Sequence, residues 1–596
     1  MKRTGYELPV YAHRKAPELE TKSVGSYPVI VVGGGLGGLT AALELGSRGV
    51  HVVVLDEDDT VGAAGLSSRG ICYAKRSLEI LDRFGIARRI RAKGVTWNEG
   101  DVFRGEQKLY RFNLQTEKDQ QFPAFVNLQQ FYVEQYLVEA LQRAPSVDLR
   151  WKSRVTGVKQ TASYVEVAVE TPHGRYKARC VYLVGADGAH SVVRKKTGAK
   201  DAESALFDDH WCIADVKMKA SERAVRKAYL DNGLNDGGAI WYHQMADGVW
   251  RTDWEIGHYA DPEAETTPAR ARQRLKKLLG PGVKFELVWV GGWRFRKRYL
   301  EKMAYGRVLF LGDAAGQHSP FGARGGNRAV QDANNLAWKL DLVLRGRATA
   351  DLLETYHAER HPATREAVEI SSRSAVFIGP ETPGQRAFRD AILDLAQRHG
   401  WARALVNVGR LSTAATYGGS PLNLERGDFD APAAAPGCAA PDGRFGKAHF
   451  VEQLQGHFTV VYFGTRGPAL DVPALYVNRR ANASLCRRYG AERENATYVF
   501  RPDGHVLARC RGIDAAFARR AIAGVLRYRK RGKAGVPTDS APPAQQKDRL
   551  YDVFAGFLDA QPKNSRERSL ARLVVALAEK LGSPDLVRSA VDAARD

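Results

Sequence analysis

The 596-residue sequence predicts an α/β protein in which a unit of parallel strands and crossover helices is interleaved with an antiparallel sheet and followed by a smaller α/β domain. Three observations predict it. Pro28 to Val32 is a continuous apolar strand of the kind buried on both faces in parallel sheets. A glycine turn, a helix through Leu39–Leu45 and a second strand, His51 to Leu55, follow it and complete a parallel crossover. Between 205 and 300 the segments WCIADVKM, GAIWYHQ and VWRTDWEI alternate as antiparallel strands with one covered face. After an Ala- and Pro-rich stretch, FTVVYFG, ALYVN and ATYVFRPDGHVLARCRG alternate with helical pieces.

The elements divide the chain in order. Residues 1–27 are a polar arm, and 28–204 and 301–429 are the two parts of the parallel unit. Residues 205–300 form the antiparallel sheet, and 430–442 form a linker. Residues 443–537 make the small domain, and 538–596 a second linker with a helical tail suited to docking or to homodimer formation.

Composition removes several classes. Hydrophobic residues at 44% and charged residues at 26% are globular values, which exclude wholesale disorder. No apolar run approaches the roughly 20 residues of a membrane span. The net charge of +22 comes from Arg spread over the whole chain and not from a stripe, so nucleic acid is not the expected partner. The six cysteines include no CxxC pair and no zinc-ligand spacing. With a charged N-terminal segment lacking an apolar h-region, they point to reduced thiols in the cytoplasm. No metal is expected.

Three motifs carry chemistry. In VIVVGGGLGGLTAAL, Gly33, Gly35 and Gly38 form GxGxxG between strand and helix. Gly33 permits the turn, Gly35 lets a pyrophosphate approach, and Gly38 lets the helix close on the strand, so the unit reads as Rossmann-like. Asp56 directly follows the second strand and is placed to accept from ribose hydroxyls, with Glu57 the adjacent competitor. In CVYLVGADGAHSVVRKKTG, Asp187 ends a strand, where it could also cap the next helix. In GRVLFLGDAAGQHSPFGARGGNRAVQDANNLAWKL, Asp313 ends a strand before a glycine-rich loop and a long helix, which suits a second anionic ligand part. One dinucleotide turn plus two glycine/Asp sites implies one elongated dinucleotide.

In order and spacing, the three motifs over about Val29 to Arg360 resemble the FAD-dependent class A aromatic hydroxylases, the group of the para-hydroxybenzoate and phenol hydroxylases. The resemblance implies a Rossmann-like FAD-binding domain, an antiparallel-sheet substrate domain and a C-terminal thioredoxin-like domain containing the RPDG at Arg501 to Gly504. It implies that Gly33, Gly35, Gly38 and Asp56 hold the ADP half, and that Arg69 and Gln130 contact FAD. Asp187 would lie near the pyrophosphate and the NAD(P)H path, and Asp313 would bind the ribityl chain. Pro320, Gly325, Gly326 and Asn327 would face the isoalloxazine. Gly316, Ser319 and Arg324 depart from the family pattern. Without CxxC, the C-terminal domain is not expected to exchange disulfides.

The activity so implied is hydroxylation of a small phenolic substrate with NAD(P)H, as a transient co-substrate, and O2 through a flavin C4a-hydroperoxide. Phenol activation requires an acceptor near the hydroxyl, which makes Trp241, Tyr242, His243 and Arg251 candidates on the sheet. Tyr73 and His318 are candidates on loops. Trp241 and Tyr242 point to opposite faces, and Arg251 has Asp253 and Glu255 as alternative partners. Oxidation of a polycyclic natural product on the same cofactor and a non-catalytic binding module are the alternatives. Halogenation is disfavoured because no WxWxIP-like segment occurs.

Overall fold

The computed structural model describes residues 5–530, apart from 63–69, 116, 220–224, 236–237, 258–260, 281, 399–402, 404–405, 407–412 and 455. Arg69 and the 538–596 tail lie outside the described residues.

Five parallel strands form the centre of the first sheet, in the order Val308–Phe310, Gly174–Gly185, Gly25–Val32, Val52–Leu55 and Val147–Arg150. Val29 to Val32 and Val52 to Leu55 are buried throughout, in a core that they share with helix Leu36–Gly46 and with Val155, Val165, Val167 and Val169. Helix Leu36–Gly46 packs on helix Gly325–Leu344, and this pair fixes one side of the sheet.

The second sheet has eight strands, ordered Gly316–Gln317, Glu286–Leu300, Asp201–Lys217, Val249–Glu255, Ile240–Gln244, Arg226–Leu230, Glu99–Arg104 and Gln107–Asn113. The last two come from a stretch that sequence reading places in the parallel unit. They bridge the units because Arg226–Leu230 pairs with Glu99–Arg104 in parallel.

Alternation gives this sheet two apolar faces. On the front, Trp211, Trp241 and Phe295 meet Phe321 from the glycine-rich loop, with ring centroids 5.0, 6.0 and 5.5 Å from it. On the back, Cys212, Tyr242, Trp250 and Trp254 pack against Ala271 and Leu275 of helix Pro268–Leu279.

The C-terminal domain has a five-stranded sheet in the order Leu424–Arg426, Val506–Arg511, Ala496–Phe500, Thr459–Phe463 and Ala474–Val477. The stretch expected to link the domains is part of its core: Ala431, Ala434 and Ala440 are buried with Val461, Phe463 and Tyr498. Small side chains let this backbone lie flat on the sheet. The other sheet face packs Val460, Tyr462 and Leu507 on Trp338 and Leu342 of helix Gly325–Leu344.

A buried ion network joins the two domains at that seam. Arg501, fully buried, donates to both Glu359 oxygens at 2.7 and 3.0 Å and pairs with Asp503. Glu359 also accepts from Lys339 at 2.6 Å, Asn335 at 2.8 Å and Ser420 at 2.6 Å, while Trp338 Nε1–H donates to Asp503 at 3.1 Å. Burial works to raise the Glu359 carboxyl, but Arg501 and Lys339 bring it down to about 2. Removing one member leaves an uncompensated buried charge, at a cost of about 3–5 kcal/mol. Arg501→Met is therefore expected to lower unfolding free energy by about that much, read by urea denaturation at pH 7.

Candidate functional site

The glycine turn is built by close approach. Gly33 has φ +107°, in the left-handed region, and a Cβ on Gly38 would overlap the Gly33 carbonyl oxygen. A Cβ on Gly37 would lie 2.7 Å from Leu311 Cδ1 and 3.2 Å from Ala329 Cβ. On the far side, a Cβ on Gly326 would be 3.1 Å from Leu36 Cδ2. Helices Leu36–Gly46 and Gly325–Leu344 thus start side by side, and neither Gly35 nor Arg324 gives its helix a side-chain cap. Two positive helix ends thus lie together, which suits an anion. Glu134, buried on helix Gln130–Leu141, accepts from Leu36 N–H at 3.1 Å, Gly62 N–H at 2.7 Å and Gln130 Nε2 at 2.7 Å. Gln130 Oε1 in turn accepts from Gly70 N–H at 3.1 Å.

The three aspartates sit in different surroundings. Asp56 accepts from Gly34 N–H and, at 2.9 Å, from Asp58 N–H, and burial pushes its carboxyl up to about 6. Glu57 is exposed. Asp187 accepts from the Ser191 hydroxyl at 2.5 Å and Val193 N–H at 2.9 Å, so it does cap the helix start, and burial raises its carboxyl. Asp313 is the open one: its side chain is 54% exposed, with Arg328 3.9 Å away. Asp332 holds the turn around it, accepting from Gly312 N–H at 3.1 Å and Arg360 at 2.7 Å.

In the glycine-rich loop, Pro320 is exposed and its carbonyl accepts from Ala323 N–H at 3.1 Å. Asn327 does not present its amide to a ligand. It accepts from Ala74 N–H and donates to the Cys72 carbonyl, both at 2.9 Å, and so clips strand Cys72–Ala74 to the helix start. Gly325 and Gly326 keep the loop backbone bare, and a Cβ on Gly325 would be 3.7 Å from the His318 ring. His318 Nδ1 contacts the Ser319 carbonyl at 2.7 Å, and its Nε2 is buried without a partner among the described residues. Burial, then the charges of Arg328 and Arg324, lower its pKa to about 3. Tyr73 is buried, with its hydroxyl unpartnered among the described residues.

The substrate candidates separate by face. Trp241 and His243 lie on the front. Tyr242 stacks on Trp250 at 4.5 Å behind the sheet, against helix Pro268–Leu279, so its proposed catalytic role is corrected: strand alternation turns it away from the loop. Arg251 is taken neither by Asp253 nor by Glu255 as its main partner; its Nε donates to buried Asp215 at 3.0 Å, and Asp215 also accepts from Tyr6 of the N-terminal arm at 2.9 Å. His243 Nε2 is 3.4 Å from the Asp253 carboxylate, and its Nδ1 is buried with no partner among the described residues. Burial, then the Arg226 charge, lower its pKa to about 4 against the pull of Asp253. Asp215, Arg226 and Trp97 went unnoticed in sequence because no local pattern marks a cross-strand neighbour.

Bare glycine turns, paired helix ends and an open acid beside an aromatic sheet define a dinucleotide-binding flavoprotein. A family model described as FAD binding domain matches residues 26–371, more than half of the chain. The chain belongs to this family, as an FAD-dependent monooxygenase of the class A kind. Among relatives, it is 29% identical over 372 residues to para-nitrophenol 4-monooxygenase of Pseudomonas sp. (strain WBC-3), covering 61% of this chain and 90% of that protein. It is 30% identical over 412 residues to 6-methylpretetramide 4-monooxygenase of Streptomyces rimosus, covering 67% and 72%. Aklavinone-11 hydroxylase, solved with FAD and aklavinone, superposes with a TM-score of 0.66 at 25% identity over 85% of this chain and 99% of that one. Among the described residues no helix is long and apolar enough to cross a membrane.

Two predictions follow from the geometry. Gly38→Val is expected to abolish flavin retention, measured by the absorbance ratio of flavin to protein. The buried neutral imidazoles of His243 and His318 bind fewer protons than in the unfolded chain, so stability is expected to fall as pH drops from about 6.5 toward 4. Asp56, with its raised carboxyl, opposes this below about 6. His318→Asn should flatten the decline in Tm between pH 7 and pH 5.

Proposed function

We propose that the chain hydroxylates a phenolic aromatic compound, with NAD(P)H as reductant and O2 as oxidant. The observation that carries this reading is the aromatic sheet face with an unpartnered imidazole nitrogen, set directly against the loop that would hold the flavin ring. FAD, when bound, supplies reduction of O2 and delivery of one oxygen atom.

The residues present fit that cofactor. Gly33, Gly35 and Gly38 would let the pyrophosphate reach the two helix ends, and Asp56 has lone pairs left for the ribose hydroxyls. Asp313, open to the cleft, suits the ribityl chain, and Gly325 and Gly326 leave room for the ring. Gln130 and Asp187 act by shaping the turns beside it. On the substrate side, Nε2–H of His243 faces Asp253, which leaves the Nδ1 lone pair to accept the phenolic hydrogen bond. Trp211, Trp241 and Phe321 wall the ring and exclude water.

Relatives named for 6-methylpretetramide and aklavinone support a second reading on the same site, a polycyclic phenol. The C-terminal domain is read as thioredoxin-like: two parallel strands, Thr459–Phe463 and Ala474–Val477, are followed by the hairpin Ala496–Phe500 and Val506–Arg511 and the helix Ala515–Leu526. Its role is a clamp, because its cysteines are free and without a CxxC pair. Free thiols suit a cytoplasmic enzyme.

Purified protein is expected to be yellow and to oxidise NAD(P)H faster when a phenol is added, with hydroxylated product formed. A colourless protein that refuses FAD, or a yellow one indifferent to every phenol, would overturn the reading. Asp313→Ala should lose most of its flavin. His243→Gln should keep its flavin yet lower kcat by about 10²-fold, in stopped-flow and product assays.

A further inference from the structure

Arg226 opens strand Arg226–Leu230, beside Gly100 on one neighbouring strand, while Ala228 pairs with Trp241 on the other. The residue is 7% exposed. The guanidinium carbon lies 4.9 Å from the centre of the Trp241 ring and 5.7 Å from that of Trp97. Among the described residues no side chain or carbonyl hydrogen-bonds to this guanidinium, and its Nε is sealed from solvent. Burial lowers its pKa, and Asp253 acts on it only through its charge.

Other buried arginines are hydrogen-bonded through at least one nitrogen, although Arg76, Arg298 and Arg328 leave Nε without a partner among the described residues. Arg360 has Asp332 and Tyr417, Arg389 has Asp231, and Arg501 has Glu359 and Asp503. Contact with two indole faces offsets part of the desolvation of a cation, but leaves its N–H donors unused. Among the described residues, further unpartnered polar atoms on the same sheet face are Trp241 Nε1, His243 Nδ1 and the Tyr110 hydroxyl, all buried. Trp97, stacked with Arg226, belongs to a three-stranded sheet with strand Cys72–Ala74, which Asn327 ties to the glycine-rich loop. The unused donors therefore lie on the sheet face against which Phe321 of the glycine-rich loop packs.

We propose that Arg226 is the charge anchor for an anionic oxygen group on the aromatic substrate, with Trp241 Nε1 as a second donor. The planar fork of donors suits a carboxylate in particular, since it offers two parallel hydrogen bonds. A phenolate oxygen shares that chemistry and is the other source. The inference rests on the hydroxylase reading for its site, and makes acidic aromatics the preferred substrate class.

The test uses the FAD-loaded enzyme and ligand binding followed by the change in flavin absorption. Benzoate against benzamide, and 3-(3-hydroxyphenyl)propanoate against its amide, test the carboxylate arm. 4-Nitrophenol at pH 6 and at pH 8.5 tests the phenolate arm. In at least one arm the anion is expected to bind tenfold or more tightly than its neutral partner. Arg226→Met should reduce that preference to about threefold or less, and Arg226→Lys should restore part of it. Arg226→Met should also retain FAD and keep or raise Tm, because it removes a buried charge with no partner, whereas a merely structural arginine would lower Tm on removal. No anion preference in either arm, or one that survives in Arg226→Met, overturns the proposal. Benzoate and benzamide carry no hydroxyl, so their result stands apart from phenol-stimulated NAD(P)H oxidation, which tests the hydroxylase reading.

Discussion

The structure depends on how closely helix Leu36–Gly46 can approach its neighbours. Gly38 brings it onto the Gly33 carbonyl and Gly37 brings it onto Leu311 and Ala329, so there is no room for a methyl group at either place. This contact is what sets the first turn of helix Gly325–Leu344 beside the first turn of its partner. Three stretches far apart in sequence then meet at one cleft: the glycine turn, the Asp313 turn and the glycine-rich loop. A side chain at the seam would separate the two helix ends and weaken the field they share.

The same long helix also joins the two domains at its other end. Its N-terminal half shapes the loop that faces the sheet, through Asn327, Arg328 and Asp332. Its C-terminal half, through Asn335, Trp338 and Lys339, is locked to the C-terminal domain by Glu359, Arg501 and Asp503. Arg360, next to Glu359, reaches back to Asp332. The C-terminal domain thus holds the far end of the helix whose first turn carries the glycine-rich loop.

Sequence patterns disclosed the parts of the site that depend on local rules. The apolar strand, the GxGxxG turn, the acid after the second strand and the glycine-rich loop each follow from constraints within a few residues. Alternation also separated Trp241 from Tyr242, although it could not say which one faced the loop. What escaped were the long-range pairings. Asp253 and Glu255 were the partners that sequence offered Arg251, whereas its Nε donates to Asp215, which comes from a strand paired with its own and 36 residues earlier. Asn327 resembled a ligand group and is a clip between elements more than 250 residues apart. The Ala- and Pro-rich stretch at 430–442 had the composition of a linker because small residues serve both flexible chain and tight packing.

Strands Asp201–Lys217 and Glu286–Leu300 pair along almost their whole length, from Asp201 opposite Leu300 to Lys217 opposite Glu286. One end of this ribbon lies against the Asp313 turn, where Arg298 donates to the Asp313 carbonyl at 3.2 Å. The region that would recognise the aromatic ring is consequently no detachable cassette. Recombining it between relatives means carrying both halves of the ribbon together, and a crossover point placed midway along either half would mismatch the pairing on which the whole sheet is strung.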